Sequence, residues 1–364
     1  MHRDQRQRVN LHRLQLRPRS PWRTPWQADT LTGALCGVCA RVLGAETLHE
    51  RLIRPMLDGQ PPFVLSDALP GDLLPIPVAI RLFDPPSETN HKAIKRGRWI
   101  RRNDFLAVRT AQSAGDIPWN RLLSDEDVLL TETTRHNTLA RDSDASLGEE
   151  AGGGGLFSRP DTFLRMNVAG INESGLTTAA QTSTLESAPA FKGARNDGGA
   201  RLSLYFRAHD DKATDLLLDL LYELSLTGFG ADIATGRGQF EIVGEPEPAP
   251  ELDAAPKDAN GLIVLSTFQP APGDPVDGYW EAFPKFGKVG PDLGLTDVRK
   301  HTLIMFRPGA CFRADSPRTY LGRALPMNLI LPESAASALR EGGVNIIHPA
   351  FGLAVPMRLP EDLA

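Results

Sequence analysis

Along residues 9–16 the apolar side chains Val9, Leu11, Leu14 and Leu16 recur at strand-like spacing, and Pro18 and Pro21 close the run. The period then changes. Leu31, Ala34, Leu35, Val38, Cys39 and Val42 fall on one face of a 3.6-residue helix, with Asp29 standing where an N-cap belongs. A second strand is expected over 76–83, which is rich in apolar and branched residues and is ended by Pro85 and Pro86. Further on, Leu202, Leu204 and Phe206 alternate with Arg201, Ser203, Tyr205 and Arg207, which predicts a half-buried strand. A second helix follows, with Asp210 and Asp211 as its cap, Ala213, Leu217, Leu220, Leu221 and Leu224 as its apolar face, and Gly228 at its end. Residues 239–243 give one more short strand.

In order these elements read strand, helix, strand, long insertion, strand, helix, strand. That is the α+β, split βαβ arrangement of a ferredoxin-like domain. The insertion, at about 87–192, has little periodicity, includes the glycine run 152–155, and would leave from one edge of the sheet. Residues 245–260 carry four prolines and several acids, which reads as a linker between an N-terminal domain over 1–244 and a smaller, strand-rich domain over 261–364. In that second domain, strands are expected at 262–268, 302–306, 324–331 and 344–355, with a short helix at 334–340.

Composition narrows the class. With 364 residues, 41% hydrophobic and 23% charged, the chain can fill two or three globular cores. The stretch 24–40 lacks Lys and Arg but contains Asp29 and falls short of the roughly 20 apolar residues a membrane span needs. No apolar signal region of about 7–15 residues follows the Arg-rich start, so a cytoplasmic location is expected. Cys36, Cys39 and Cys311 cannot build a disulfide framework, and Cys36-Gly-Val-Cys39 lacks both a second ligand pair and a preceding strand. Cys36 and Cys39 are expected to be ordinary helix residues. The histidines are scattered without metal-ligand spacing, so neither a metal nor a cofactor is expected.

A net charge of −5 argues against a protein that coats nucleic acid with its whole surface. Two basic clusters nevertheless suggest a directed groove: Arg3, Arg6, Arg8, Arg13, Arg17, Arg19 and Arg23, then Lys92, Lys95, Arg96, Arg98, Arg101, Arg102 and Arg109. The sharpest motif runs from Leu226 to Phe240 and holds Gly228, Gly230, Gly236 and Gly238. It joins a helix end to a strand, the reverse of a dinucleotide fingerprint, and Ile233 stands where the third glycine would be. What remains is either a structural turn or a loop whose missing side chains let backbone amides approach a phosphate chain, with Arg237 inside it. A second motif, Thr134-Arg-His-Asn-Thr-Leu-Ala-Arg141, offers Arg135, Asn137 and Arg141 as donors to phosphates and splayed bases.

Three ordered blocks carry a resemblance. They are Asp29-Thr-Leu-Thr-Gly-Ala-Leu35, then Arg135-His-Asn-Thr-Leu-Ala-Arg141 ahead of Gly-Leu-Phe at 155–157, then the glycine loop ending Gly236-Arg-Gly-Gln-Phe240. With Phe306-Arg-Pro-Gly-Ala-Cys-Phe312 and His348-Pro-Ala-Phe-Gly-Leu-Ala-Val355, the chain resembles the RAMP superfamily of CRISPR proteins. Within it, the likeness is to subunit four of type III-A Csm effector complexes. The resemblance implies two ferredoxin-like (RRM-like) domains, the first with a thumb-like insertion and a glycine-rich loop before its last strand. It implies a non-catalytic subunit in antiviral defence that grips the 5′ tag of crRNA and contacts the large Cas-ten subunit and a backbone RAMP subunit, meeting target RNA only indirectly.

By the same resemblance, Gly228, Gly230, Gly236, Arg237 and Gly238 would follow the tag's phosphates. Arg135, His136, Asn137 and Arg141 would grip RNA near the thumb. From the two basic clusters, Arg17, Lys95, Arg98 and Arg101 are added as candidate RNA contacts. Asp232 and Ile233 depart from the basic or small hydroxyl residues many relatives carry at the loop's centre. The alternatives are a Cas-six-like endoribonuclease, for which His136 has no convincing acid-base partner, and the equivalent subunit of a type III-B or III-D complex.

Overall fold

A computed structural model describes residues 10–20, 22–87, 94, 96–124, 201–287, 289, 298–314 and 316–360. Its first sheet takes the strand order β2–β6–β1–β7, where β1 is His12–Pro18, β2 Phe63–Leu65, β6 Leu202–Ala208 and β7 Phe240–Pro248, and the short β3 (Leu69–Pro70) also pairs with β6. Every pairing is antiparallel, with Leu14 opposite Leu204 and Leu16 opposite Leu202. Helices α1 (Ala28–Leu43) and α3 (Asp211–Thr227) follow β1 and β6, so two strand-helix-strand units interleave in one sheet. The second is capped as the sequence predicts: Asp210 accepts from the Ala213 N–H at 2.8 Å, and Gly228 closes the helix at φ +91. Leu217, Leu220 and Leu221 are fully buried, and each contributes about 1.5–3 kcal/mol through burial.

Four expectations change. Residues 76–83 are not the second strand: Val78–Leu82 form a 3-10 helix, and the strand is the short β2 at Phe63–Leu65. Pro75 and Pro77 flank Ile76, fixing φ and removing donors from what would have been a ladder. Strand β6 is buried on both faces rather than half-buried. Its polar side has partners: Ser203 bonds to Gly71, and Arg207 pairs with Asp253 at 2.7 Å.

Residues 245–260 are not a loose linker. Strand β7 runs to Pro248, the turn Pro250–Asp253 is helical, and Ala249 and Leu252 are fully buried. Buried Arg109 locks that turn by donating to the carbonyls of Leu252 at 2.9 Å, Glu251 at 2.8 Å and Ala254 at 3.0 Å. Part of the second basic cluster is therefore internal, within a segment that forms β4 (Leu73–Pro75), β5 (Trp99–Arg101) and α2 (Arg102–Val108).

The C-terminal sheet orders β13–β14–β8–β12–β9, with β8 Gly261–Val264, β9 Gly278–Tyr279, β12 Cys311–Arg313, β13 Tyr320–Pro326 and β14 Ile347–Met357. A helix, α4 (Glu333–Glu341), lies between β13 and β14, while the connection from β8 to β9 is irregular. Beside this sheet stands the ribbon of β10 (Ala282–Lys285) and β11 (Leu303–Phe306). One continuous apolar core takes in both sheets, joining Leu14, Leu204 and Leu217 with Ile263, Leu353 and Val355.

A buried polar joint sits at the start of α1. Asp29 does not cap the helix. Asp67 does so from outside, accepting the Ala28 N–H at 2.8 Å along with the Thr267 N–H at 2.8 Å and its hydroxyl at 2.7 Å. Asp29, one residue further in, is fully buried and holds Lys285 at 2.7 Å and His348 at 3.0 Å. Burial pushes the Asp67 carboxyl up to about 6 against those donors. Burial alone would also raise Asp29, but the His348 hydrogen bond and Lys285 bring it down to about 2.

The two acids therefore respond oppositely to pH. The Asp67 contribution is present below its unfolded value and is lost as pH rises through about 6. The Asp29 contribution is present above its unfolded value and is lost as pH falls through about 2. His348, lowered by burial, weakens the fold on acidification. We expect the melting-temperature advantage of wild type over Asp67→Asn to be larger near about pH 4.5 than near about pH 7.5. The opposite trend in thermal melts would refute the assignment.

Candidate nucleic-acid interface

The glycine-rich bend between α3 and β7 is at the surface, and its conformation is set residue by residue. The Phe229 N–H donates to the Gly238 carbonyl at 2.9 Å and closes the neck of the loop. The Phe229 ring is buried 4.5 Å from Trp26, which also meets Phe240 edge-on at 5.0 Å. Above this anchor, Ala231 and residues 233–236 are exposed. Gly238, at φ +69, lies so near the Phe229 carbonyl that a Cβ would come within 2.0 Å of its oxygen. Gly230, at φ +94, would strike Thr24 at 2.5 Å, whereas Gly236, at φ +82, has open space around it.

The loop is docked on the segment that follows β1. The Ala231 N–H donates to the Thr24 hydroxyl at 2.8 Å, the Gln239 N–H donates to the Ser20 hydroxyl at 2.9 Å, and Arg23 pairs with Asp232 at 3.0 Å. These bonds bring Arg17, Arg19 and Arg23 of the first basic cluster to the loop, while Arg13 turns to Asp72 and Gly71. Arg17 and Arg19 share Glu241, the latter at 3.1 Å, and Arg237 lies near Arg23 and Asp232. Partial burial, with Arg23 adding repulsion that Asp232 offsets, lowers the Arg237 guanidinium to about 10, so it stays charged at neutral pH. Four arginines gathered against two carboxylates leave this edge electropositive.

The other predicted residues separate. Arg98 turns to Glu281 at 2.6 Å, an acid that Arg81 also grips. Against the pull of burial, those two guanidinium groups hold the Glu281 carboxyl below its usual range. Arg101 is exposed on β5. Lys95, Arg135, His136, Asn137 and Arg141 lie outside the described residues. Cys36 and Cys39 are both on α1, as expected, with Cys39 buried. No metal-binding group of His, Cys, Asp and Glu occurs among the described residues, and no described helix is long and apolar enough to cross a membrane. Reading the sequence alone missed Ser20, Thr24 and Asp232 as the docking residues, because each acts through a contact roughly two hundred residues away in the chain.

No family model matches the chain, and no curated protein matches it in sequence. Solved structures do. A chain of the Csm1-Csm4 cassette in complex with pppApA matches at TM-score 0.50 and 13% identity, covering 96% of this chain and 99% of that one. The same cassette in complex with cA3 matches at TM-score 0.48 and 14% identity, with the same coverage. The Csm3-Csm4 subcomplex of the type III-A CRISPR-Cas interference complex matches at 0.46 and 12%, covering 95% and 99%. At such identity the likeness is one of fold: over nearly its whole length, this chain is folded as a chain of the Csm1-Csm4 cassette is, and the resemblance carried by the ordered sequence blocks holds at that level.

Proposed function

We propose that this chain is a non-catalytic, RNA-holding subunit of a type III-A CRISPR effector complex, built on two ferredoxin-like units. Its glycine-rich loop grips the backbone of the crRNA 5′ tag, and its body ties the large Cas-ten subunit to the first backbone subunit. The observation that carries this reading is the exposed loop of Gly230, Gly236 and Arg237, docked beside Arg17, Arg19 and Arg23. A loop whose backbone is bare at Gly230 and Gly236 and whose edge carries cations suits a phosphate chain. The first sheet, ordered β2–β6–β1–β7 with both helices following β1 and β6, supports the first ferredoxin-like unit. The second unit is a shorter variant, with one longer helix and an irregular connection where the other would be. The shared fold with a chain of the Csm1-Csm4 cassette supports the assignment to such a complex.

Replacing Arg23 and Arg237 together with alanine tests the reading. We expect at least roughly tenfold weaker binding of RNA bearing the 5′ tag, from the loss of charge-assisted bonds. The salt slope should fall by about 1.4, two contacts at about 0.7 each on a single strand. Unchanged affinity and slope at matched salt, with the circular dichroism melt preserved, would refute the loop's role. Cleavage of precursor RNA by the purified chain in EDTA would refute the non-catalytic assignment.

A further inference from the structure

Asp232 is an acid set among the arginines that give the glycine-rich loop its charge. Its carboxylate pairs with Arg23 at 3.0 Å and is close enough to Arg237 to offset the repulsion between the two guanidinium groups. The side chain is only 7% exposed, although Ala231 before it and residues 233–236 after it face solvent. The loop has turned this carboxylate back onto its own cations.

The turn that follows does not account for an aspartate there. The Asp232 backbone is left-handed, at φ +63, a conformation that glycine adopts freely and that strains a residue with a Cβ. Aspartate commonly offsets that strain, or caps a helical turn, by bonding its carboxylate to nearby backbone N–H groups. Here the helical turn Ile233–Thr235 receives no such side-chain bond. Only the Asp232 carbonyl serves it, accepting from the Thr235 N–H at 3.0 Å and from the Thr235 hydroxyl at 2.8 Å. The loop also keeps its seat without the ion pair. The Ala231 and Gln239 N–H groups reach the Thr24 and Ser20 hydroxyls at 2.8 and 2.9 Å, and the bond from Phe229 to Gly238 closes the neck. What the carboxylate does is occupy guanidinium donors.

To a guanidinium, a carboxylate and an RNA phosphate look alike: each offers two oxygens that share negative charge and accept paired N–H bonds. A phosphate chain following the loop needs the donors that Asp232 holds. One anion can leave Arg23 as another arrives, and the displaced carboxylate has water beside it at the exposed residues 233–236. We propose that Asp232 is an internal stand-in for an RNA phosphate, covering Arg23 and Arg237 until the RNA backbone displaces it. This role rests on the loop holding RNA, and it makes that hold self-limiting. The acid lowers affinity for any RNA, so the arginines go to an anion that other contacts of the loop have already positioned.

A stand-in and a plain structural pin give opposite signs in one assay. The full chain is titrated into a short single-stranded RNA that bears the 5′ tag and a 3′ fluorescein, read by anisotropy. Asp232→Asn keeps the shape and tolerates the positive φ. It should tighten binding about threefold to fivefold, the upper part of the range for an exposed ion pair. The salt slope should steepen by about 0.7, one more phosphate neutralised on a single strand. Asp232→Gly should give the same gain without the strained backbone. In a chain that also carries Arg23→Ala and Arg237→Ala the gain should vanish, because no guanidinium remains to be uncovered.

Unchanged or weaker binding in Asp232→Asn would overturn the proposal, and so would a circular dichroism melt far below wild type in both Asp232 variants, which would make the ion pair a pin for the loop. A gain that survives loss of the two arginines would reduce Asp232 to long-range repulsion and overturn it as well. The loop reading is decided separately, by the arginine pair in the chain with Asp232 intact. Weaker binding with that pair, beside no gain from Asp232→Asn, removes the stand-in and leaves the RNA grip in place, whereas no loss with that pair removes the grip itself.

Discussion

An Asp29→Ala variant should unfold at a markedly lower urea concentration, with a loss of about 3–5 kcal/mol, the range for removing one partner of a buried ion pair. Lys285 is mostly buried and gives its ammonium to both Asp29 oxygens at 2.7 Å, to the Gln27 side-chain oxygen at 2.7 Å and to the Thr30 hydroxyl at 2.8 Å. Without Asp29, two neutral acceptors remain for that charge, and burial already makes the nearby Lys300 ammonium harder to hold. Adding Lys285→Met removes the stranded cation and should recover part of the loss, since apolar replacement of both partners is often tolerated. Urea titrations followed by circular dichroism decide the matter. A single-variant loss below about 1 kcal/mol would put this pair in the class of exposed salt bridges and contradict its burial. The joint ties α1 of the first sheet to β10 and β14 of the second unit, so its loss should loosen both together.

Gly238→Ala should be the most damaging single change in the glycine-rich loop, at about 2–4 kcal/mol. The methyl group would lie 2.0 Å from the Phe229 carbonyl oxygen and 2.9 Å from its carbon, and both are backbone atoms at the neck of the loop. Overpacking costs about 1–3 kcal/mol, and a positive φ adds about 1 kcal/mol for a residue with a Cβ. Gly236→Ala shares the positive φ, at +82, but meets nothing within 4 Å, so only the backbone cost of about 1 kcal/mol applies. Thermal melts of the two variants should therefore differ clearly, and RNA binding should fail first in Gly238→Ala. Equal melting temperatures would mean that Phe229 and Gly238 do not close the loop as described.

Where local pattern dominates, sequence and structure coincide. Strand β1, helix α1 and helix α3 follow their apolar periods, strand β6 stands where its alternation places it although both its faces are buried, and Asp210 and Gly228 end α3 through bonds to neighbours within four residues. Helix α4 and strand β14 fall where their patterns place them as well. Short elements did not show. The three-residue β2 is too brief to display a period, and the apolar run after Pro75 resembled a strand more than β2 did. Asp29 was misread for a different reason. An acid in the first turn of a helix looks the same in sequence whether it caps that turn or reaches across to a lysine 256 residues away. The ring packing of Trp280 carries no periodic signal, because it depends on Phe306 and Phe312 arriving from other strands.

The amino-acid sequence by itself determined the α+β class, the interleaved strand-helix-strand order of the first unit, and the glycine bend that contains Arg237. Each of these depends on residues within a few turns of one another, where spacing alone sets which face is apolar and which position tolerates a positive φ. The tertiary structure decided which charges are internal and which face outward. Arg109 became a buried clamp and Asp29 one half of a buried pair, while Arg23 and Arg98 went to different surfaces from one basic-looking chain. Desolvation and pairing depend on what the rest of the fold brings within a few ångströms, and linear spacing carries no record of that.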